Sequence, residues 1–219
     1  MKKNLIILEN SKIFTEKLCK IFKKENMQII TLNESIYNLE NSKSSIIYPI
    51  DKKNTNFKLL TSIIKNKIKT LDSIIINTDI PLYTKPLEQI NDYHWEQQIY
   101  KNINTPFYLI KNMLSLLKKT KNPNINIIIH KNPANIKAYW SITECINNGL
   151  IALMETINEE YKNINNLRIN CISTENINSL YKKNIYPYKV NQNDKNLQHL
   201  VNTLIYLIKS NIKNKIIKV

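Results

Sequence analysis

The stretch Leu71-Asp-Ser-Ile-Ile-Ile-Asn-Thr-Asp79, LDSIIINTD, carries three isoleucines in a row, bounded by polar residues on both sides. A strand with one wet face alternates apolar and polar side chains. A run without alternation has to bury both faces, as in a parallel sheet covered by helices on each side. Outward from it the chain repeats the pattern. NLIIL (Asn4–Leu8), MQIITL (Met27–Leu32), SSIIYPI (Ser44–Ile50), NINIIIH (Asn124–His130) and LRINCIS (Leu167–Ser173) are strand-like, and KIIKV (Lys215–Val219) has the form of a closing strand. Between them lie segments with apolar residues at helical spacing: Phe14–Glu25, Phe57–Leu71, two helices within Ile90–Asn102 and Thr105–Lys119, Trp140–Lys162, and Val201–Ser210. Pro106 falls near the first turn of the fourth of these, where a missing N–H costs nothing. Strands and helices in alternation predict an α/β fold, a doubly wound parallel sheet of Rossmann-like form. No internal repeat or linker divides residues 1–219, so one domain is expected.

Composition narrows the classes. With 219 residues and 42% hydrophobic content, the chain is globular. No apolar run is long enough to span a bilayer, and the start, MKKNLIILENSKIF, reads as a strand rather than a leader because Glu9 and Lys12 interrupt it. Cys19, Cys145 and Cys171 are odd in number, widely spaced and without a metal-ligand pattern, which points to a reducing, cytoplasmic setting and no metal. The net charge of +15 invites a nucleic-acid role. Against it, Arg168 is the only arginine, the lysines are scattered along the chain, and no aromatic–basic stripe appears. The single glycine and the abundance of Lys, Asn and Ile match AT-rich codon usage. Nucleic acid is therefore not an expected partner.

Five segments in order, LDSIIINTD (Leu71–Asp79), WEQQIYKNINTPFYLIKNML (Trp95–Leu114), KAYW (Lys137–Trp140), LMETINEEY (Leu153–Tyr161) and LRINCIS, together resemble the short-chain dehydrogenase/reductase family over essentially the whole chain. The resemblance implies an NAD(P)-dependent oxidoreductase by descent. It also implies a glycine-rich turn after the first strand that lets the pyrophosphate approach backbone at a helix N-terminus. Here that turn reads LENSKIF (Leu8–Phe14), without glycine. Asn10 stands at the first glycine position and can accept a left-handed backbone; Ser11 reads as a helix cap, and Ile13 puts a side chain where the family has bare backbone. Asp51 matches the acidic residue at the adenine edge, and Asn77 the asparagine after the fourth strand. Thr174 stands where the family continues Pro-Gly. Asp79 and Glu175 add negative charge where a pyrophosphate would lie.

The family's chemistry uses a tyrosine as proton donor, a lysine one turn later that lowers its pKa, a serine and an asparagine. In this alignment the tyrosine position is Thr143, the lysine position Asn147, the serine position His130 and the asparagine position Asn102. Only the asparagine is kept. An aliphatic hydroxyl is too weak an acid to replace a phenol, and Tyr139, one turn earlier, has no lysine four residues on. Three readings follow: a chain that has lost its chemistry, a divergent oxidoreductase using Asn102 and His130, or a non-catalytic binding or assembly protein. The resemblance also implies a homodimer through the two helices carrying Phe107, Ile110 and Leu114, and Leu150, Leu153 and Ile157.

Overall fold

A computed structural model describes residues 3–8, 12–33, 45–49, 56–78, 85–129, 138–163, 166–174 and 194–219. Its strands are β1 (Lys3–Leu8), β2 (Met27–Asn33), β3 (Ser45–Pro49), β4 (Ser73–Asn77), β5 (Asn124–Ile129), β6 (Arg168–Ser173) and β7 (Ile216–Lys218). They form one seven-stranded sheet in the order β3-β2-β1-β4-β5-β6-β7, and every neighbouring pair runs parallel. The helices are α1 (Lys12–Lys24), α2 (Phe57–Lys67), α3 (Asp92–Ile99), α4 (Thr105–Leu117), α5 (Ser141–Glu160) and α6 (Asp194–Lys209). The doubly wound fold read from the sequence is what the chain adopts.

The isoleucine runs serve two cores at once. Ile74 and Ile76 of β4 point into one cluster with Leu60 and Ile64 of α2, Leu109 and Met113 of α4 and Leu150 of α5. Ile75 points into the other, with Phe22 of α1 and Leu200 and Leu204 of α6. β5 and β6 divide in the same way: Ile125, Ile127 and Ile169 join the first cluster, Ile128 and Ile172 the second. Burying an isoleucine fully contributes roughly 2–3 kcal/mol, and a run used on both faces gathers that from every residue.

Polar residues fill the places where regular structure leaves a group unpaired. Asn56 caps α2, its Oδ1 accepting from the amides of Lys58 at 3.1 Å and Leu59 at 3.2 Å. Asn158 closes on β6, donating to the carbonyl of Ile169 at 3.0 Å and accepting from its amide at 3.3 Å. Left-handed backbone goes to asparagine where another chain would use glycine: Asn26, Asn166 and Asn214 have φ of 58°, 52° and 53°.

Three expectations need correction. The amphipathic stretch to Leu71 ends as a helix at Lys67. Ile68 turns extended at φ −129°, and the Thr70 carbonyl accepts instead from Asn4 Nδ2 at 2.9 Å. α3 and α4 are not separate, because a π turn over Tyr100–Asn104 joins them. The cause is Pro106. It has no N–H for the carbonyl of Asn102 and its ring would strike that carbonyl, so the helix widens there. The last helix begins at Asp194, earlier than Val201.

Candidate functional site

β1 lies between β2 and β4, and the chain's direction of progress across the sheet reverses there. In an open parallel sheet that reversal leaves a crevice beyond the carboxyl ends of the strands, where ligands bind. Asn77 ends β4 beside it. It is 7% exposed, and its Oδ1 is enclosed without a hydrogen-bond partner. The next residue, Thr78, is tied across to β5, its amide and hydroxyl both donating to the Ile128 carbonyl at 3.4 Å and 2.9 Å. Thr174 leaves β6 with its amide donating to the Ile129 carbonyl at 3.0 Å. Asn77 and Thr174 thus stand at the carboxyl ends of neighbouring parts of one sheet.

The π turn and α5 pack together. Asn102 is 2% exposed, Thr143 4% and Asn147 1%. Asn102 Nδ2 donates to the Gln98 carbonyl at 3.1 Å and to Gln98 Oε1 at 3.2 Å. Thr143 and Asn147 stand one turn apart on one face of α5. The approach of α5 to the π turn is close. A Cβ at Gly149, the chain's one glycine, would sit 3.0 Å from Ile103 Cδ1.

Tyr139 does not belong to the helix. It sits two residues before Ser141, 59% exposed, at φ 70°, so it is no helical neighbour of Thr143. Asn10, Ser11, Asp51 and His130 fall outside the described residues, as do Asp79 and Glu175. Ile13 lies in the first turn of α1. The three residues Glu9–Ser11 between β1 and α1 are also outside.

Two neighbours escaped the sequence reading. Ser141 and Glu144 open α5, and Ser141 Oγ and Glu144 Oε2 are both enclosed without a hydrogen-bond partner. Their S-x-x-E spacing has the form of a capping box. No such box forms, because Trp140 is the cap residue and makes no side-chain bond. Glu144 near the helix N-terminus is favoured by the helix dipole. On α3, burial and then the Lys85 charge push the His94 imidazole below its usual range. No cluster of His, Cys, Asp or Glu suited to a metal occurs among the described residues, and none of their helices is long and apolar enough to cross a membrane.

Asn102, Thr143 and Asn147 carry amides and a hydroxyl. They can orient a ligand by hydrogen bonds. None of them is an acid or base that exchanges protons near neutrality.

No protein-family model matches the sequence, and no curated protein matches it. Solved structures do match its fold. A short-chain dehydrogenase from Shigella flexneri superposes with a TM-score of 0.86 at 16% identity, covering 99% of this chain and 90% of that one. The yciK oxidoreductase of Escherichia coli gives 0.82 at 16% identity, covering 99% and 94%. A proposed short-chain dehydrogenase of Escherichia coli CFT073, solved with NADPH, gives 0.84 at 16% identity, covering 99% and 97%. The resemblance read from the sequence is thus met in three dimensions, and from end to end this chain has the fold of the short-chain dehydrogenases.

Proposed function

We propose that this protein is a short-chain dehydrogenase by descent that no longer carries out the family's hydride and proton transfer. One observation carries the reading: the α5 positions that need a phenol and an ammonium hold Thr143 and Asn147, both buried. A buried threonine hydroxyl cannot supply a proton at neutral pH, and an asparagine amide brings no charge to lower its pKa. The cofactor crevice is altered in the same direction. Glycine is gone from the turn after β1, and Asp79 and Glu175 stand in sequence where they would face a pyrophosphate. Were NAD(P) to bind, the residues on hand to receive it would be Asn77 and Thr174, with Asn10, Ser11, Ile13 and Asp51 by alignment. The cofactor would supply the hydride. Asn77 Oδ1 is an acceptor, suited to a donor such as a ribose hydroxyl and not to phosphate oxygen.

The test is a titration with NADPH and NADH, followed by cofactor fluorescence and thermal shift. No binding at millimolar cofactor is the expected result. A dissociation constant below about 100 μM, near −5.5 kcal/mol, would overturn it and make the divergent oxidoreductase, with Asn102 and His130, the better reading.

The second reading, a non-catalytic assembly protein that pairs with itself, has an observation of its own. Ile110, Leu150 and Ile157 of the stripes expected at a dimer face are turned into the core. Leu114 and Leu153 are half-buried against it, and what is exposed is Phe107 on α4, and on α5 the small residues Cys145, Gly149 and Ala152 at one-turn spacing. Small residues let two helices approach closely, and a two-fold axis would use the patch twice. Light scattering that finds a monomer at all micromolar concentrations would remove this reading.

A further inference from the structure

Helices of a parallel sheet run back against the strands. Every helix C-terminus therefore arrives at the end of the sheet where the strands begin. The scattered lysines of this chain sit at those junctions. Lys23 and Lys24 end α1, and Lys65 and Lys67 end α2, with Lys69 just beyond. Lys118, Lys119 and Lys121 follow α4, Lys162 follows α5, and Lys209 and Lys213 stand at the end of α6 and just past it. Lys3 opens β1. All are exposed.

Contacts between the junctions hold them at one end of the molecule. The Lys118 ammonium lies 4.8 Å over the Tyr161 ring, joining the ends of α4 and α5. Lys209 bridges to Glu25 at 2.6 Å, joining α6 to the turn after α1. Thr120 Oγ1 donates to the Leu71 carbonyl at 2.9 Å, joining the segments before β5 and β4.

The carboxylates at this end, among the described residues, are Glu25, Asp72, Glu159 and Glu160, about one for every three lysines. Three of them are engaged: Glu25 by Lys209, Glu159 by Lys162 at 2.8 Å, and Asp72 by the Asn4 amide at 2.8 Å. Five helix C-termini subtract roughly half a charge each. The face stays strongly positive after both offsets.

We propose that this amino-terminal end of the sheet is a docking face for the phosphate backbone of a nucleic acid, bound without reading bases. It lies opposite the cofactor crevice and is independent of whether that crevice binds anything. Six strand spacings at about 4.8 Å make the charged strip roughly 29 Å long, enough to follow many phosphates of one strand. Twist of about 20–25° per strand bends the strip, which suits a rod or a flexible chain better than a plane of lipid headgroups. Of the exposed large apolar groups, Leu87, Phe107 and Tyr139 are at the other end, while Tyr206 and Ile216 stand singly near this one, too few to make an apolar wedge for a lipid interface. Base specificity is absent for a chemical reason. Lysine meets phosphate as a point charge, and the one arginine, which could make a bidentate base contact, is buried.

The experiment uses the full chain and fluorescein-labelled random-sequence oligonucleotides of about 20 residues, single- and double-stranded, with anisotropy read across a salt series. One variant, Lys67→Glu/Lys119→Glu/Lys121→Glu, alters the face. Its control, Lys58→Glu/Lys85→Glu/Lys111→Glu, makes the same charge change on exposed lysines elsewhere. Lys→Gln versions of both serve if thermal unfolding shows that either glutamate variant fails to fold. The face variant is expected to bind about tenfold or more weakly, with a log–log salt slope shallower by about 3, while the control stays within about threefold of wild type. Equal losses in both variants would overturn the proposal. So would no binding at about 50 mM salt, or binding to phosphatidylserine-containing vesicles with the oligonucleotides ignored.

Discussion

Arg168 offers the sharpest test of how this chain holds its sheet to its helices. It is the only arginine of the protein and is 4% exposed, and no carboxylate pairs with it among the described residues. Its Nη2 donates to the Asn122 carbonyl at 2.9 Å, and its Nη1 to the Leu207 carbonyl at 3.2 Å. Leu207 is in the last turn of α6, where carbonyls lack helical partners and the dipole is negative. One guanidinium thus joins β6, the approach to β5 and the end of α6. Burial draws its pKa down, yet an arginine stays protonated at any working pH. Lysine cannot copy the arrangement, because a single ammonium reaches one carbonyl and leaves the other unpaired. Losing one charge-assisted hydrogen bond costs about 1.5–3 kcal/mol. Arg168→Lys is therefore expected to lose about 2–3 kcal/mol at pH 7, roughly 4–12 °C in Tm for a chain of this size. The assay is urea unfolding with the slope m unchanged. The pH dependence adds a second check. The buried amine would have a folded pKa below its unfolded value near about 10.4, so the unfolded state binds more protons in between. Stability of the variant then rises relative to wild type as pH rises through that window. A variant with the wild-type midpoint at pH 7 and no pH-dependent gain would refute the two-carbonyl account.

Three further outcomes follow from other contacts. Gly149→Ala gains about 1 kcal/mol of helix propensity but meets Ile103 Cδ1 at 3.0 Å. The gain should appear in full only when Ile103→Val has removed that methyl, and a double-mutant cycle showing no coupling would contradict the close approach. Cys171 is fully buried, and burial, then the Glu155 charge, push its thiol up to about 12 from 9.0. Its folded pKa is raised, so its contribution to stability is complete below pH 9 and is lost as pH rises from there toward about 12. Cys171→Val should flatten that alkaline decline. In native protein a thiol reagent should modify exposed Cys145 and leave Cys171 untouched until unfolding; early modification of Cys171 would count against its burial.

The sheet could be read from the sequence because each strand announces itself locally. Ile74, Ile75 and Ile76 need two buried faces, and a parallel sheet covered by helices on both sides supplies them. That Thr143 and Asn147 bring neither a phenol nor an ammonium to α5 was legible too, since it follows from residue identity alone. The π turn was less so. Pro106 signals a helix start equally well, so its presence alone does not tell a widened turn inside a longer helix from a new beginning.

The clamp of Arg168 and the approach of Gly149 to Ile103 depend on neighbours far away in the chain, so no local pattern could give them. The lysines show the division most clearly. By sequence alone they are scattered, and that scatter argues against a nucleic-acid surface. The parallel topology returns every helix to the same end of the sheet, and what is dispersed along the chain is gathered there in space.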